Sequence, residues 1–421
     1  MSSGTQQTRI DTGSDEISRM MMTPEFVQDP YALYERMRRE QPVYRGAQGT
    51  WYLTRYADVE AALRDPRLSS DAERRQRWFQ RHANVQISER LTGRGKRLGS
   101  SMLSTDPPDH TRLRKLVNKA FLPRRVEALR PRIEAIVADL LDAATASGPS
   151  FDLIGALAYP LPITVICELL GVPVAERDRI RQGTQVPFAQ PGQQRSQPTS
   201  ADLERMEQAT GELMRYLRDL IRRRRAEPGD DLLSGLVAAK EGGDQLTEDE
   251  LLRTCFLLLV AGHETTTNLI GNGTLALLRH PAQWRRLQEH PTLIRSAVEE
   301  LLRYDSPVQR TSVRIAAEAV ELGGVTLDEG DAVFPVIGAA NRDPERFVAP
   351  DRLDVSRPDP RHLSLGAGPH FCLGAPLARL EGQVAVGALV LRLPTLRLDT
   401  DTVQWRPNPV LRGLESLPVA F

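Results

Sequence analysis

Cys372 stands where a sulfur could do chemistry. It lies within His362 to Glu381, which reads His-Leu-Ser-Leu-Gly-Ala-Gly-Pro-His-Phe-Cys-Leu-Gly-Ala-Pro-Leu-Ala-Arg-Leu-Glu, a glycine-rich loop followed by a helical segment. Pro376 suits the first turn of that helix, since its missing N–H would be unpaired there, and Leu377, Leu380 and Val384 recur at helical spacing. A sulfur just before a helix N-terminus is favoured as thiolate, the form that binds metals or attacks electrophiles. Gly366, Gly368 and Gly374 flank it and would let a flat, bulky partner approach the backbone. Taken alone, a free cysteine is as readily a small buried hydrophobe.

Three other groupings carry chemical potential. In Ala261-Gly262-His263-Glu264-Thr265-Thr266, small residues precede a carboxylate and a hydroxyl inside an otherwise apolar helical run. Such groups are costly in a buried helix unless something uses them. A zinc-protease reading fails because the second histidine it needs is Thr267. His110 and Arg114 lie four apart on one helical face and could reach two carboxylates of one ligand, although a solvated basic face reads the same way. Glu300 and Arg303 lie three apart, a spacing that usually makes a weak surface pair.

The elements that must position these residues are mostly helical. Thr247-Glu248-Asp249-Glu250 opens a helix running to about His280, apolar on all sides from Cys255 to Gly262 and therefore central. Further helices are expected from Asp29-Pro30, over Ala57 to Asp65, from Asp106-Pro107-Pro108-Asp109, over Val126 to Ala146 and Leu153 to Leu170, and up to Arg225. Short strands are expected at Val43-Tyr44, at Trp51 to Leu53 and over Val308 to Val336, with turns at Gly323-Gly324 and Asp328 to Gly330. Arg67 to Leu103 and Gln190 to Pro198 read as polar loops, and Trp405 to Leu417 as a returning hairpin.

The chain has 421 residues with 55 basic and 55 acidic side chains, so no global field points to nucleic acid or an anionic membrane. Three scattered cysteines, Cys167, Cys255 and Cys372, make neither a disulfide framework nor a zinc cluster and suit a reducing cytoplasm. Residues 1–24 are expected to form a disordered tail without an apolar signal or anchor, and 25–421 a single domain.

The ordered set of motifs resembles the cytochrome P-450 superfamily of haem-thiolate monooxygenases, in its soluble bacterial form. The resemblance implies a mainly α fold with a smaller β region, a triangular prism with a long central helix over haem b. It makes Cys372 the axial iron ligand, with Gly368, His370 and Gly374 around it, and His110, Arg114 and Arg314 the partners of the haem propionates. Ala261 and Gly262 would leave room for dioxygen, while Glu264 and Thr265 would form an acid–alcohol pair that delivers protons. For Thr265 the alternative is a bond to the carbonyl four residues back, and His263 is expected to face away from the haem. Glu300 and Arg303 would become a buried structural pair joined by Arg346 from Asn341 to Phe347. The family has an aromatic residue where Leu365 stands, which bears on the packing around the sulfur.

The implied reaction inserts one oxygen atom into a C–H bond or alkene of a bulky hydrophobic molecule. General likeness to polyketide- and macrolide-tailoring enzymes suggests the substrate class; a terpene, fatty acid or peptide is the alternative. No flavin or nicotinamide module is legible, so electrons from NAD(P)H are expected through a ferredoxin and its reductase. Arg112, Lys115, Lys119, Arg124 and Arg125 would offer the ferredoxin a basic patch on a cytoplasmic monomer. The rival readings are a non-catalytic haem-thiolate sensor and a peroxide-using variant, and the Glu264–Thr265 pair speaks against both.

Overall fold

The long helix Glu248–Arg279 starts where its sequence caps it. In the computed structural model Glu250 N–H donates to Thr247 Oγ1 (3.2 Å) and Thr247 N–H to Glu250 Oε2 (2.8 Å), a reciprocal capping box with three acidic residues in the first turn. The residues described are 12–21, 23–46, 49–82, 101–118, 121–184, 200–241 and 243–421.

This central helix is crossed closely at its glycines. A Cβ on Gly271 would lie 2.6 Å from Ile154, which sits in the π-helical turn Ile154–Ala158. One on Gly273 would lie 2.9 Å from Leu301 in helix Ile294–Tyr304. Gly382, in the cysteine-bearing segment's helix Ala375–Arg392, faces Leu269 at 3.0 Å. Interiors packed this tightly fix the relative placement of the helices, which is what a site assembled from several of them needs.

The apolar core divides around the central helix. One cluster joins Leu269, Ile270 and Leu275 to Leu301, Leu380 and Leu389. The other joins Leu251, Leu252 and Leu259 to Ile166 in helix Pro160–Leu169 and to Leu213 and Leu217 in helix Ser200–Ala226.

A five-stranded sheet forms the smaller β region, in the order Val43–Arg45, Trp51–Leu53, Ala332–Pro335, Arg314–Ala316, Leu68–Ser69. Tyr44 pairs with Tyr52 and Ile315 with Ala332 in antiparallel register, whereas Trp51 runs parallel to Val333. A second sheet joins Ser150–Asp152, Pro418–Ala420 and Arg397–Leu398. The hairpin before Pro418–Ala420, bridged at Trp405–Leu414, is held by Arg412. That guanidinium stacks on Trp405 (3.5 Å), pairs with Asp305 (2.8 Å) and donates to the carbonyls of Val27 and Gln28 (2.7 and 2.9 Å).

Several expected boundaries move. Residues 12–20, placed in the tail, form helix Thr12–Met20, with Ile17 buried. The segment after Arg67 contains helix Ala72–His82, hidden from apolar periodicity because Trp78 is its one buried residue. The helix expected over Val126 to Ala146 is two, Pro123–Glu127 and Arg130–Ala146. Gln190 to Pro198 and Lys119 lie outside the described residues. Among the described residues no helix is long and apolar enough to cross a membrane.

Candidate active site

Cys372 ends a loop whose turns need glycine. Gly366 and Gly368 have φ of +73° and +67°, and a Cβ on Gly368 would strike Leu63 O at 2.7 Å, so the loop lies against helix Tyr56–Arg64. Cys372 N–H donates to Leu365 O (2.8 Å), and Leu365 fills the place of the expected aromatic as a buried side chain. The lone sulfur departs from the expectation of a ready thiolate. Burial pushes its pKa up, outweighing the Gly374 amide, the charges of Arg114 and Arg379 and the Ala375 amide, which pull it down. A metal cation beside the sulfur would favour the thiolate. Among the described residues no group of three or more His, Cys, Asp or Glu could hold a metal ion, so a metal at Cys372 must bring most of its own ligands.

A cluster of basic side chains, two arginines and two histidines, lies alongside. The rings of His110 and His370 are 4.2 Å apart, and His110 Nδ1 and Arg314 Nε are buried without a hydrogen-bond partner. Burial, then repulsion from Arg314, His110 and Arg114, pushes His370 down to about 3. Burial pushes Arg314 down to about 10, and burial with the charges of Arg114 and Arg314 lowers His110. Asp106, a carboxylate that bears on both His110 and Arg314, is already bonded to Ser69 and Ser70. Arg114 donates to Pro369 O (3.0 Å) and Phe371 O (2.6 Å), clamping the basic helix Asp109–Asn118 to the cysteine loop and leaving other N–H groups for a ligand. Unsatisfied donors on His110 and Arg314, with the charges of Arg114 and Arg314 beside them, fit a ligand with two carboxylates. Gly374, with nothing within 4 Å of its missing Cβ, leaves open space beside the sulfur.

The central helix contributes a window of small residues. Ala261 is exposed and Thr265 half-buried in mid-helix, while His263 and Thr266 are buried. Thr265 Oγ1 donates to Ala261 O (2.8 Å), the carbonyl four residues back, so its lone pairs remain free to accept. His263 is buried with Nδ1 against Leu259 O and its ring edge-on to Tyr159. Gly262 requires a correction: its missing Cβ faces Ile166 at 3.2 Å, so it admits helix Pro160–Leu169 to the crossing, and Ala261 is the small residue on the open side. Glu264 is bound by a residue that the sequence reading missed. Arg406, from the C-terminal hairpin, donates to Glu264 Oε1 (3.2 Å) and Asn268 Oδ1 (3.1 Å). Burial raises the Glu264 pKa and Arg406 draws it back.

The Glu300–Arg303 pair is wholly buried and bidentate (2.7 and 2.9 Å), with Arg303 also donating to the carbonyls of Asn341 and Pro350 (both 2.8 Å). The expected third member is wrong. Arg346 follows the Asp343 turn and pairs with Asp359 (3.0 Å), and Arg357 bonds Glu300 instead (3.0 Å). Beside it Glu299 accepts from Arg379 (2.7 and 2.8 Å), tying helix Ile294–Tyr304 to the cysteine helix. Burial pushes Glu299 up, but the bonds from Arg379 and the nearby His362 ring (3.3 Å) outweigh it and hold the carboxyl down to about 2. Arg112 leaves the basic patch, because Asp244 (3.1 Å) and Glu250 already bind it.

Cys372 at the end of a glycine-bearing loop, buried donors without partners on His110 and Arg314, and a small-residue window on the central helix are the parts that a haem-thiolate protein needs. The sequence profile described as Cytochrome P450 matches residues 42–409. Cytochrome P450 107B1 of Saccharopolyspora erythraea is 50% identical over 94% of this chain and 95% of its own. The 6-deoxyerythronolide B hydroxylase of the same organism is 44% identical over 93% of this chain and 96% of its own. The solved structure of the Bacillus subtilis bacillaene polyketide synthase cytochrome P450 PksS superposes with a TM-score of 0.83 at 40% identity, covering 95% of this chain and 98% of that one. The chain belongs to the cytochrome P450 family, whose cofactor is haem and whose co-substrate is dioxygen.

Proposed function

We propose that this protein hydroxylates or epoxidises a bulky, hydrophobic polyketide or macrolide-type metabolite. Likeness across nearly the whole chain to a 6-deoxyerythronolide B hydroxylase and to PksS supports the substrate class. The observation that carries the chemistry is the open window at Ala261 and Thr265 with Glu264 adjoining it, because an inert haem carrier has no use for a carboxyl and a hydroxyl there.

Cys372 would hold the haem iron in this reading, and His110, Arg314, His370 and the unbound donors of Arg114 would hold the two propionates. When bound, the haem activates dioxygen and carries the oxidising equivalents. The chain does the rest. Thr265 Oγ1, its own hydrogen committed to Ala261 O, accepts a hydrogen bond from the open side of the helix. Glu264, with its pKa raised by burial, takes up and releases a proton nearer neutrality than an exposed carboxylate would. The buried Glu300 network keeps helix Ile294–Tyr304 and the segment after Asn341 in fixed relation while Glu299 and Arg379 tie that helix to the cysteine helix.

Electrons are proposed to come from NAD(P)H through an external ferredoxin and its reductase. Lys115, Arg124 and Arg125 are exposed and form the docking patch. Reversing Lys115 and Arg124 to Glu slows reduction by ferredoxin at low salt several-fold; unchanged kinetics and salt dependence would refute the patch.

The decisive experiment reads spectra. Reduced protein under carbon monoxide shows the red-shifted Soret band of thiolate ligation, and Cys372→Ser loses it. A panel of macrolactones, terpenes and fatty acids is then scored by the haem spin-state shift. A response confined to fatty acids or small terpenes refutes the polyketide assignment.

A further inference from the structure

We propose that Arg406 is the positioning residue of proton delivery: it holds the Glu264 carboxyl between the central helix and a surface cleft at the C-terminal hairpin, and protons enter from that cleft. The inference rests on the reading of Glu264 as the acid of the acid–alcohol pair.

Arg406 touches both compartments. On its inner side it donates to Glu264 Oε1 (3.2 Å) and Asn268 Oδ1 (3.1 Å), two residues one helical turn apart, and its Nε donates to Leu414 O (3.1 Å). It also lines a cavity of about 20 Å³ whose other polar lining residues are Tyr34, Gln309, Asn408 and Arg412. That volume holds about one water, and the lining offers the polar partners a water needs. The Glu264 and Arg406 side chains keep 25% and 32% of their surface, so the pair is not sealed as a structural ion pair would be.

The hairpin is built to keep this aim. Arg406 N–H donates to Gly413 O (2.9 Å), and a Cβ on Gly413 would fall 2.0 Å from Asn268 Oδ1, so glycine there lets the hairpin lie against the central helix. Arg412 anchors the same hairpin to Asp305, Val27 and Gln28.

The charges around the carboxyl set the direction of the effect. Arg406 on the hairpin opposes the burial of Glu264 and also bears on Glu415, on the opposite arm of the same hairpin, and on His263 of the central helix. His263 is itself buried with its pKa lowered, so it adds no charge at neutral pH. Each delivery moves one proton: it binds the Glu264 carboxylate from the cleft side and leaves it towards Thr265, returning Glu264 to carboxylate. Arg406 stays protonated throughout and takes no part in the transfer.

Infrared titration of the ferric holoenzyme tests the claim, with the Glu264 carboxyl band assigned by its loss in Glu264→Gln. In Arg406→Gln the titration midpoint rises by about 1 to 3 pH units, the size expected on losing an opposite charge at this range, and Arg406→Lys restores most of it. In NADH-driven turnover with a surrogate ferredoxin, Arg406→Gln releases several-fold more peroxide per dioxygen consumed and shows a larger solvent deuterium effect. Gly413→Ala, which pushes Asn268 off Arg406 without removing a charge, moves both in the same direction by less. Wild-type midpoint and isotope effect in Arg406→Gln, with Glu264→Gln impaired, overturn the role of Arg406 alone. A wild-type isotope effect in Glu264→Gln overturns the reading of Glu264 beneath it.

Discussion

Glu300–Arg303 and Glu264–Arg406 use the same two side chains to opposite ends. The first pair is fully buried, bidentate, and surrounded by backbone carbonyls, the Asp354 amide and Arg357, so that every charge is answered from several directions. The second makes one bond at 3.2 Å across two elements 142 residues apart, and both partners stay partly exposed. A saturated network is stiff and holds elements in register. A single charged contact beside water can change its proton occupancy without disturbing the fold. Glu381 completes the series: it is buried in the cysteine helix with Oε2 unpartnered, and burial alone raises its pKa well above the ordinary value.

Breaking the saturated network has the largest effect. Glu300→Gln leaves the buried Arg303 and Arg357 without their carboxylate, and it lowers unfolding stability by about 3–5 kcal/mol, read as a fall in the urea midpoint and in haem content. Glu381→Met moves stability the other way, by about 1–3 kcal/mol, because it removes a buried carboxyl that lacks a partner. The sign with pH follows from its raised pKa. The folded state holds this proton more tightly than the unfolded chain, so wild-type stability falls as pH rises above the unfolded value. The gain in Glu381→Met is therefore greater at pH 8 than at pH 5; equal gains at both would mean the carboxyl has a partner in solution. Arg346→Ala has the smallest effect, no measurable shift of the urea midpoint, since its partner Asp359 is solvent-exposed. A loss as large as that of Glu300→Gln would return Arg346 to the buried network.

Local pattern made part of this legible and long-range choice hid the rest. The Cys372 loop, the capped central helix and the Glu300–Arg303 spacing are written in contiguous residues, so their elements could be read from period, caps and glycines. Partners separated by tens of residues could not. Arg357 rather than Arg346 reaches Glu300 because the turns after Asp343 decide which guanidinium points inward. Gly262 was recognisable as a place where bulk is excluded, but only the crossing helix shows that Ile166 is what excludes it. Arg406 gave no signal of its own among the surrounding Trp, Gln, Pro and Asn, and its place at Glu264 emerges from the hairpin alone. The thiol of Cys372 shows the same limit, since position before a helix was readable and degree of burial was not.

The carbonyls of Val27 and Gln28 are gripped by Arg412, whose hairpin carries Arg406 to Glu264. An early segment of the described chain and its last hairpin thus form one mechanical linkage to the middle of the central helix. Cutting the polypeptide after Gln28 would leave every residue named for the reaction in place and still slacken its alignment, so an intact front end belongs among the working parts.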